Sequence, residues 1–474
     1  MITEILAGLV VALALIPEAI SFSILAGVDP KVGLFASFTM AVTISITGGR
    51  RAMISAATGA IALVIAPLVK SHGIEYLVAA VILGGIIQIV LAFIGVVKLM
   101  RFIPRSVMVG FVNSLGILIF SAQLPHLLGR TFSVWWLTGL GLGIIVLAPR
   151  LTKTIPAPLI AIFAITALTY FTNISIPTVG DEGELPSGFP IFGIPSVPFT
   201  LKTLSVIAPF AMGIAMVGLI ESLLTAKLVD DITDTKSNKV RESAGQGIAN
   251  IVTGLFGGMG GCAMIGQTMI NVKASGARTR LSTFLAGVFL LLLVVSAGDL
   301  VSVIPMAALV AVMFMVSFLT FDWHSMAPAT LKRMPKSETF VMVCTVIVVV
   351  ITHNLAYGVI AGVFIEAVLF VRRVAHVVEV EGQLNPDSGI MEYRVYGELF
   401  FASSNDLYYQ FDYNTVADQV TIDFSDAHIW DASSVAALDA ITNKYAHHNK
   451  KVEIIGMNQM SSAIHKKLGG QFPS

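Results

Sequence analysis

The chain has 474 residues, of which 55% are hydrophobic and only 12% charged, and its mean hydropathy is +0.85. This composition excludes a soluble globular protein, because apolar runs of about 20 residues, long enough to cross a bilayer, recur along the chain. The net charge of zero is unevenly divided, with 23 Lys and Arg against 16 Asp and Glu in residues 1–373 and 6 against 13 in residues 374–474. This shift predicts a membrane domain over 1–373 and a separate acidic domain over 374–474.

Fourteen apolar segments follow one another through residues 1–373, some too short to cross a membrane alone. Their predicted limits are 5–26, 32–47, 56–70, 74–97, 105–122, 133–149, 156–174, 204–229, 238–256, 264–275, 279–297, 300–320, 337–355 and 357–373. With the N-terminus in the cytoplasm, the cytoplasmic connections hold 19 of the 23 Lys and Arg and the outer ones hold 4. This bias predicts a multi-pass protein of the inner (plasma) membrane whose C-terminal domain is also cytoplasmic.

The two cysteines, Cys262 and Cys344, both lie in the apolar part of the chain. Their number and spacing fit neither a disulfide framework nor a metal site, so we expect them to pack as small apolar side chains. The first apolar segment lacks a basic leading region and a convincing cleavage site, and we interpret it as a membrane span.

A proline- and glycine-rich stretch near 175–200 separates two halves of seven segments, about 1–174 and 204–373. The halves share a motif, since GGRRAMISAATGA (Gly48–Ala60) is similar to GGMGGCAMIGQTMI (Gly257–Ile270). Seven is odd, so a repeated second half would be inverted, and interrupted helices at matching positions of inverted repeats indicate a transporter's binding site. Each motif is predicted to form a short extended stretch and then a half-helix starting near 57–60 or 264–267.

The two half-helix starts would face each other near the middle of the membrane. Free backbone N–H groups and helix dipoles would then give a positive potential without a basic side chain, which favours an anion. The candidate binding residues are Thr58, Gly59, Ala60, Gln267 and Thr268. The alternative for these residues is helix capping or packing between helices.

Glu221 lies inside an apolar run that begins near Val206. An ionisable residue in such a run marks a functional site by default, and Thr225 follows one turn later on the same helical face. Glu221 could bind Na⁺ with Thr225 and the exposed carbonyls of residues 263–265, or carry a proton; the alternative is a structural acid bonded to another helix. Glu18, with Ser21 on nearly the same face, is a second candidate along the pathway.

The acidic domain carries the pattern of an α/β unit. EYRVYGELFF and QVTIDF predict two strands, a helix is expected from Val435, and KKVEIIGM and SSAIHKKLG predict a further strand and helix. Asp431, Ser433 and Ser434 lie where the loop enters the first helix. They suit N-capping, and the alternative is a regulatory site for phosphorylation or ligand binding.

These stretches resemble a known family. IPEAISFSILAGVDPKVGLFAS (Ile16–Ser37), ESLLTAKLVDD, GQGIANIVTGLFGG and IPMAALVAVM resemble signatures of the SulP (sulfate permease) anion transporters, and DFSDAHIWDASSVAAL resembles the STAS domain. The resemblance implies fourteen segments in a seven-plus-seven inverted repeat, a core domain that moves against a gate domain as an elevator, and a homodimer.

The resemblance also implies roles for particular residues. Glu221, Thr225 and Ala263 would serve the coupling cation, while Met264 and Ile265 would join Thr58 and Gly59 in the substrate pocket. Some bacterial members have Asp where this chain has Glu221, so Na⁺ and H⁺ both stay open. Residues 263–265 lack the small polar pattern of bicarbonate-transporting relatives, which weakens bicarbonate as the substrate.

The sequence therefore predicts secondary active transport of a sulfate-like anion, coupled to Na⁺ or H⁺, and no enzymatic activity. Bicarbonate and C4-dicarboxylates are alternative substrates. Rival functions are an anion channel, a sensor that signals through the STAS domain, or a nucleobase permease of the same general architecture. The expected partners are a small anion, the lipid bilayer, a second copy of the chain and a cytoplasmic partner of the STAS domain. No nucleic acid and no cofactor besides Na⁺ are expected.

Overall fold

The structure, a computed structural model, describes residues 1–95, 103–151, 156–375, 378–386 and 388–470. The end of the fourth predicted segment (96–97) and the predicted cytoplasmic residues Lys98, Arg101 and Lys153 fall outside this description. The chain forms two compact units, residues 1–363 and 364–474.

The first unit is helical, apart from two short strands that lie far apart in sequence, β1 (Ser55–Ala56) and β2 (Cys262–Ala263). The helices of its first half are α1 (Ile2–Ala26), α2 (Pro30–Thr47), α3 (Gly59–His72), α4 (Ile74–Ile94), α5 (Arg105–Gln123), α6 (Phe132–Leu151), α7 (Ala157–Thr172) and α8 (Val179–Glu182). Those of its second half are α9 (Leu201–Thr233), α10 (Lys239–Leu255), α11 (Ile265–Met269), α12 (Arg280–Ser296), α13 (Gly298–Ser302), α14 (Met306–Thr320), α15 (Pro328–Arg333), α16 (Lys336–Thr352) and α17 (Leu355–Ala375), which runs past the boundary.

Within the described residues, seven helices are long and apolar enough to cross a membrane: α1, α2, α4, α5, α6, α9 and α17. Helices α3, α7, α12 and α14 are apolar but shorter. The count of fourteen crossings stays a prediction. The continuous segment predicted over 300–320 is wrong, because the chain breaks between α13 and α14. Pro305 is extended there and forms a β-bridge with Thr178, whose neighbour Val179 donates its N–H to the Ile304 carbonyl at 2.9 Å.

The helices of this unit pack in two groups. Helices α1–α4 pack with α9–α12, and we call this group the core bundle. Helices α5–α7 pack with α14, and α5 also packs with α16; we call this group the flanking bundle. Within the core bundle, α4 and α10 meet backbone to backbone, since a Cβ at Gly85 would lie 2.5 Å from the Gly247 carbonyl oxygen and a Cβ at Gly247 the same distance from the Gly85 oxygen. Small residues allow this close approach in membranes.

The second unit contains a four-stranded sheet in the order β3-β4-β5-β6. Its strands are β3 (Glu379–Leu384), β4 (Met391–Leu399), β5 (Gln419–Ile429) and β6 (Lys451–Ile455), and its helices are α18 (Ser404–Leu407), α19 (Ala432–His447) and α20 (Gln459–Leu468). Strand β3 pairs antiparallel with β4, and the other pairs are parallel. Phe424, Leu438 and Tyr445 lie in its hydrophobic core.

The predicted fold class, a polytopic helical membrane domain followed by an α/β domain, is confirmed. Two details of the second unit differ from the prediction. The sequence analysis missed β3, whose side chains are mostly exposed and therefore lack a continuous apolar face. Helix α19 begins at Ala432 and not near Val435, because Asp431 caps it by accepting the Ser434 N–H at 3.0 Å.

Candidate functional site

The two interrupted helices meet through a short strand pair. Ser55 pairs with Ala263 and Ala56 with Cys262 in antiparallel register, and the Met264 N–H donates to the Ile54 carbonyl at 2.9 Å. Antiparallel strands leave a pair in opposite directions, so α3 and α11 depart from opposite ends. The N-termini of both half-helices therefore point back toward the strand pair.

The glycine cluster before β2 is required by this close approach. A Cβ at Gly261 would lie only 2.1 Å from the Ala56 carbonyl oxygen, and Gly260 has a φ of +78°. The Asn250 side chain from α10 holds the strand, since its amide accepts the Gly261 N–H at 2.9 Å and donates to the Gly261 carbonyl at 3.1 Å. Non-helical backbone at this depth thus gains the hydrogen bonds that a helix would have supplied.

The repeated motif marks the start of both half-helices, but its residues fall at different positions relative to the two N-caps. Thr58 is the N-cap of α3 and Met264 is the N-cap of α11. In the first copy Ala-Met-Ile ends at Ile54, four residues before the cap, whereas in the second copy the methionine is itself the cap. The Ala-Met-Ile residues of the two copies are therefore not structurally equivalent, and the inverted repeat stays a prediction.

The start of α3 lies among buried side chains of both bundles. The Thr58 hydroxyl is 2% exposed and accepts the Ile61 N–H at 3.4 Å, and Ala60 is equally buried. A Cβ at Gly59 would lie 2.8 Å from Phe22 of α1 and 3.3 Å from Ile119 of α5. This predicted binding tip is therefore tightly lined by apolar groups.

The start of α11 contains an exposed residue beside residues that are buried or hydrogen-bonded. Ile265 is 38% exposed, Met264 is buried, and Gln267 is 4% exposed. The Thr268 hydroxyl accepts the Ile54 N–H at 3.0 Å, so Thr268 ties α11 to the segment before β1. Helix α11 continues as a π-helical turn, Ile270–Ala274. For Thr268 this geometry matches the packing alternative raised from the sequence.

Glu221 of α9 lies beside the strand pair, where its carboxylate Oε2 accepts a hydrogen bond from the Cys262 thiol at 2.9 Å. The next residue, Ser222, accepts the Ala263 N–H at 3.1 Å, which fixes β2 against α9. The Thr225 hydroxyl donates to the backbone carbonyl of Glu221 at 2.8 Å and does not reach the carboxylate.

These groups suit a hard cation such as Na⁺, which prefers oxygen ligands. The carboxylate of Glu221 and the hydroxyl oxygen of Thr225 belong to one turn of α9, and β2 brings Ala263 beside it. Of the expected carbonyls, that of Met264 already accepts the Thr268 N–H at 3.1 Å. Na⁺, where bound, would be held by Glu221 and Thr225 and would offset negative charge next to the two tips.

Cys262 is buried as a free cysteine, as expected, but its surroundings are not purely apolar. Its sulfur is fully buried between two polar groups, 2.9 Å from Glu221 Oε2 and 3.1 Å from Thr58 Oγ1. The sequence offered one signal, namely its place beside the glycine cluster within the repeated motif.

Glu18 of α1 lies next to the second half-helix. Its carboxyl group is adjacent to the Gln267 side chain near the start of α11. Ser21, predicted on the same face, instead donates its hydroxyl to the Pro17 carbonyl at 2.8 Å within α1. The structure therefore brings Glu18, but not Ser21, together with the half-helix residues.

Glu242 on α10 is a buried acid that the sequence analysis missed. Its carboxylate Oε2 accepts the Gly49 N–H at 2.7 Å and the Arg50 N–H at 2.8 Å, and its Oε1 accepts from the Gln246 amide at 2.9 Å. The Arg50 guanidinium pairs with Asp230 at 2.9 Å. These bonds hold the loop that leads into β1. In the sequence the residue lies close to a charge-rich connection, and no motif singles it out.

In the second unit the three candidate regulatory residues separate. Asp431 accepts both the N–H and the hydroxyl of Ser434, at 3.0 and 2.9 Å, and its other oxygen accepts the Phe401 N–H at 2.6 Å. Ser434 is fully buried, 3.0 Å from the Ser404 hydroxyl. Ser433 is exposed. Asp431 therefore caps α19, Ser434 is bonded to that cap, and of the three residues Ser433 is the exposed one.

A multi-pass helical domain with two interrupted helices, acidic side chains at their meeting point and an appended α/β domain defines a membrane transporter. The model of the sulfate permease family matches residues 1–138 and 132–345, and that of the STAS domain matches residues 383–471. The chain belongs to the sulfate permease family, as the resemblance in the sequence predicted. Members of this family are transporters and not enzymes.

Several relatives are similar over most of their length. The chain is 51% identical over 465 residues to "Putative sulfate transporter YbaR" of Bacillus subtilis (strain 168), covering 98% of this chain and 96% of that protein. It is 27% identical over 410 residues to the bicarbonate transporter BicA of Picosynechococcus sp., covering 79% of this chain and 70% of that protein.

Two solved structures share the fold. The transmembrane domain of a cyanobacterial BicA gives a TM-score of 0.67 at 26% identity, covering 76% of this chain and 96% of that chain. Murine Slc26a9, an anion transporter solved in the inward-facing state, gives a TM-score of 0.83 at 17% identity, covering 99% and 87% of the two chains.

Proposed function

We propose that this chain is a secondary active transporter of a small anion, with sulfate as the first candidate, driven by Na⁺ or H⁺ bound at Glu221. The observation that carries the proposal is the meeting of two half-helix N-termini at one strand pair, with the Glu221 carboxylate 2.9 Å from Cys262 in that pair. The 51% identity to a protein named as a sulfate transporter supports the choice of anion.

The anion would be attracted by backbone N–H groups. The first N–H groups of a helix have no partner inside the helix, which leaves those of Gly59 and Ala60 at the α3 tip and those of Ile265 and Gln267 at the α11 tip. Within the described part of the chain, the site residues include no lysine or arginine. A site built on dipoles and N–H groups binds an anion less tightly than an ion pair would, and this favours release.

The cation would sit at Glu221 with Thr225, and Glu18 beside Gln267 gives a second acidic group at the opposite tip. Each carboxylate can hold Na⁺ or a proton, and either cation would reduce the net charge that crosses the membrane with the anion. Some bacterial members have Asp where this chain has Glu221, so coupling to Na⁺ and coupling to H⁺ both stay open. The transport experiment below determines the driving ion.

Transport would proceed by movement of the core bundle, which holds the site, against the flanking bundle. The contact between Gly59 and Ile119 is apolar, whereas the hydrogen bonds of Asn250, Glu242 and Ser222 all stay inside the core bundle. An apolar boundary can slide without breaking hydrogen bonds. The proposal retains fourteen crossings in an inverted repeat, a homodimer, and an inner-membrane location with a cytoplasmic N-terminus.

The proposal keeps 1–373 as the transport domain and 374–474 as a cytoplasmic STAS domain that regulates it. Ser433 is an exposed serine in the first turn of α19. A phosphate there would be favoured by the helix dipole and could create a new binding surface for a cytoplasmic partner.

The experiment is uptake by purified protein in liposomes. Labelled sulfate, bicarbonate and a C4-dicarboxylate would each be offered with an inward Na⁺ gradient, an inward H⁺ gradient or neither. We expect one anion, sulfate first, to accumulate above its equilibrium level with one of the gradients. Accumulation of another anion instead of sulfate would show that this other anion is the substrate. Flux of every anion that follows only its own gradient would contradict coupling and would indicate a channel.

A further inference from the structure

The thiol of Cys262 lies between the residue proposed to hold the cation and a residue proposed to hold the anion. Its sulfur is 2.9 Å from Glu221 Oε2 and 3.1 Å from Thr58 Oγ1, and the side chain is fully buried. The contact therefore spans three elements, α9, β2 and the N-cap of α3.

The hydrogen bonds that link Glu221, Cys262 and Thr58 have a direction, because the thiol and the hydroxyl each have a single hydrogen to donate. An ionised carboxylate only accepts, so the Cys262 S–H donates to Glu221. In the remaining contact, the Thr58 O–H must then donate its hydrogen to the Cys262 sulfur. With an ionised and cation-free Glu221, the Thr58 hydroxyl hydrogen therefore points to sulfur and away from the anion.

A cation at Glu221 reverses this preference. Na⁺ on Oε2 competes for the lone pairs that accept the thiol. The sulfur then no longer has to donate to Glu221, and its S–H can turn to Thr58 Oγ1. The Thr58 O–H is then released toward the α3 tip, where it can donate to an anion together with the Gly59 and Ala60 N–H groups.

We infer that Cys262 is a positioning residue that couples cation occupancy at Glu221 to the hydrogen-bonding direction of Thr58, so that the anion site is completed only after the cation has bound. This inference rests on the proposed function. Coupling between two binding sites is reciprocal, so the cation should raise the affinity for the anion by the same factor as the anion raises the affinity for the cation.

The test measures the dissociation constant of the anion by isothermal titration of the purified full-length protein at low and at saturating cation. Their ratio is the coupling factor, and we expect about tenfold in the unchanged protein, within the usual range for coupled sites. Cys262→Ala removes the link, and the ratio should fall to about one. Cys262→Ser keeps a donor and acceptor at the same position and should restore most of the ratio. Cys344→Ala, on α16 of the flanking bundle, is the matched control and should not change it.

A Cys262→Ala variant with the same ratio as the unchanged protein would overturn the inference while leaving the proposed function intact. An unchanged protein without any cation effect would overturn the proposed function and the inference together. If Cys262→Ala does not fold, Thr58→Val removes the other end of the link. It should also lower the ratio, whereas Thr58→Ser keeps the hydroxyl and should retain most of it. A Thr58→Val protein with the same ratio as the unchanged protein would contradict the coupling.

Discussion

The core bundle and the flanking bundle differ in how they use buried polar residues. In the core bundle the Gln88 and Asn250 side chains meet at 3.0 Å, Gln246 donates to Ser55 at 2.7 Å, and the Thr39 hydroxyl lies 2.7 Å from that of another helix. These bonds surround the strand pair. In the flanking bundle a cavity of about 620 Å³ is lined mainly by aromatic and aliphatic side chains: Gly116, Ile117, Phe120, Leu142, Val146, Phe314, Met315, Ser317, Phe318, Phe321 and Trp323.

The difference shows what an interrupted helix requires inside a membrane. Where β1 and β2 break two helices, the unpaired backbone groups have no water to bind, so side chains such as Asn250 must supply the hydrogen bonds. The helices of the flanking bundle need fewer such side chains and can present an apolar surface. The first bundle is built to hold a binding site, and the second is suited to let that site move.

The largest expected effect is on Glu221, the acidic residue at the centre of the core bundle. Glu221→Gln keeps the shape of the side chain but cannot hold a cation by charge, so concentrative uptake in liposomes should be lost. Asp231→Asn, on the same helix but exposed, is the control and should leave accumulation unchanged. Uptake against a gradient by Glu221→Gln would remove the coupling role assigned to this residue.

The next effect concerns space at the α3 tip. Thr58→Trp would place an indole where Thr58 is 2% exposed and where neighbouring Phe22 already limits a Cβ at Gly59 to 2.8 Å. Anion binding, measured by isothermal titration or by competition during uptake, should fall below detection. Thr172→Trp on the exposed end of α7 is the control.

Overpacking can also unfold the protein, so the melting temperature must be measured with it. Gly59→Ala is the milder change at the same tip and should weaken anion affinity with a smaller loss of stability. A folded Thr58→Trp protein that still binds the anion with normal affinity would place the site elsewhere.

A matched pair of asparagines tests the two bundles against each other. Asn250→Ala leaves the N–H and carbonyl of Gly261 without partners, while Asn113→Ala in the flanking bundle removes bonds to Ser325 at 3.0 Å and to the Asp322 N–H at 2.8 Å. Each should lower the free energy of unfolding by about 1–3 kcal/mol, the cost of stranded buried polar groups.

Of these two changes, only Asn250→Ala should also raise the half-saturation concentration of the anion, because Asn250, unlike Asn113, is bonded to the segment of the strand pair. Thermal unfolding in detergent and uptake kinetics would measure both quantities. Equal effects of the two changes on anion affinity would contradict the assignment of the binding site to the core bundle.

The smallest effect on substrate choice is expected from the STAS domain. Removal of residues 380–474 should leave the relative uptake of different anions unchanged, since the proposed pocket lies in the first unit. The anion panel in liposomes measures this. An altered substrate range would show that the STAS domain helps to form the site.

Much of the fold could be predicted because long apolar runs and changes of charge reveal membrane segments directly. The starts of the half-helices could also be predicted, because clusters of glycine destabilise a helix and therefore indicate a break in it. Residues whose role depends on a partner far away in sequence could not. Cys262 was expected in apolar surroundings, but β2 places it between Thr58 and Glu221. Glu242 was missed because its backbone partners Gly49 and Arg50 lie 193 and 192 residues away in sequence.

The Ala-Met-Ile match shows a further limit of sequence comparison. Identical triplets flank both helix breaks, but the N-caps Thr58 and Met264 fall at different places relative to them. Strand register is set by backbone hydrogen bonds and by the close approach at Gly261, and neither can be read from short identities. In the second unit, β3 was missed for the related reason that an exposed strand has no apolar pattern.

The most direct test of the central claim is to locate a bound anion at the half-helix tips. Selenate, a sulfate analogue with a strong anomalous signal, would be bound to the protein in lipid at saturating cation, and its selenium would be located by anomalous diffraction. We expect one selenate at the tips, placed so that its oxygens accept hydrogen bonds from the Gly59 and Gln267 backbone N–H groups. Selenium bound instead at basic residues such as Arg50 and Arg280, with none at the tips, would contradict the central claim.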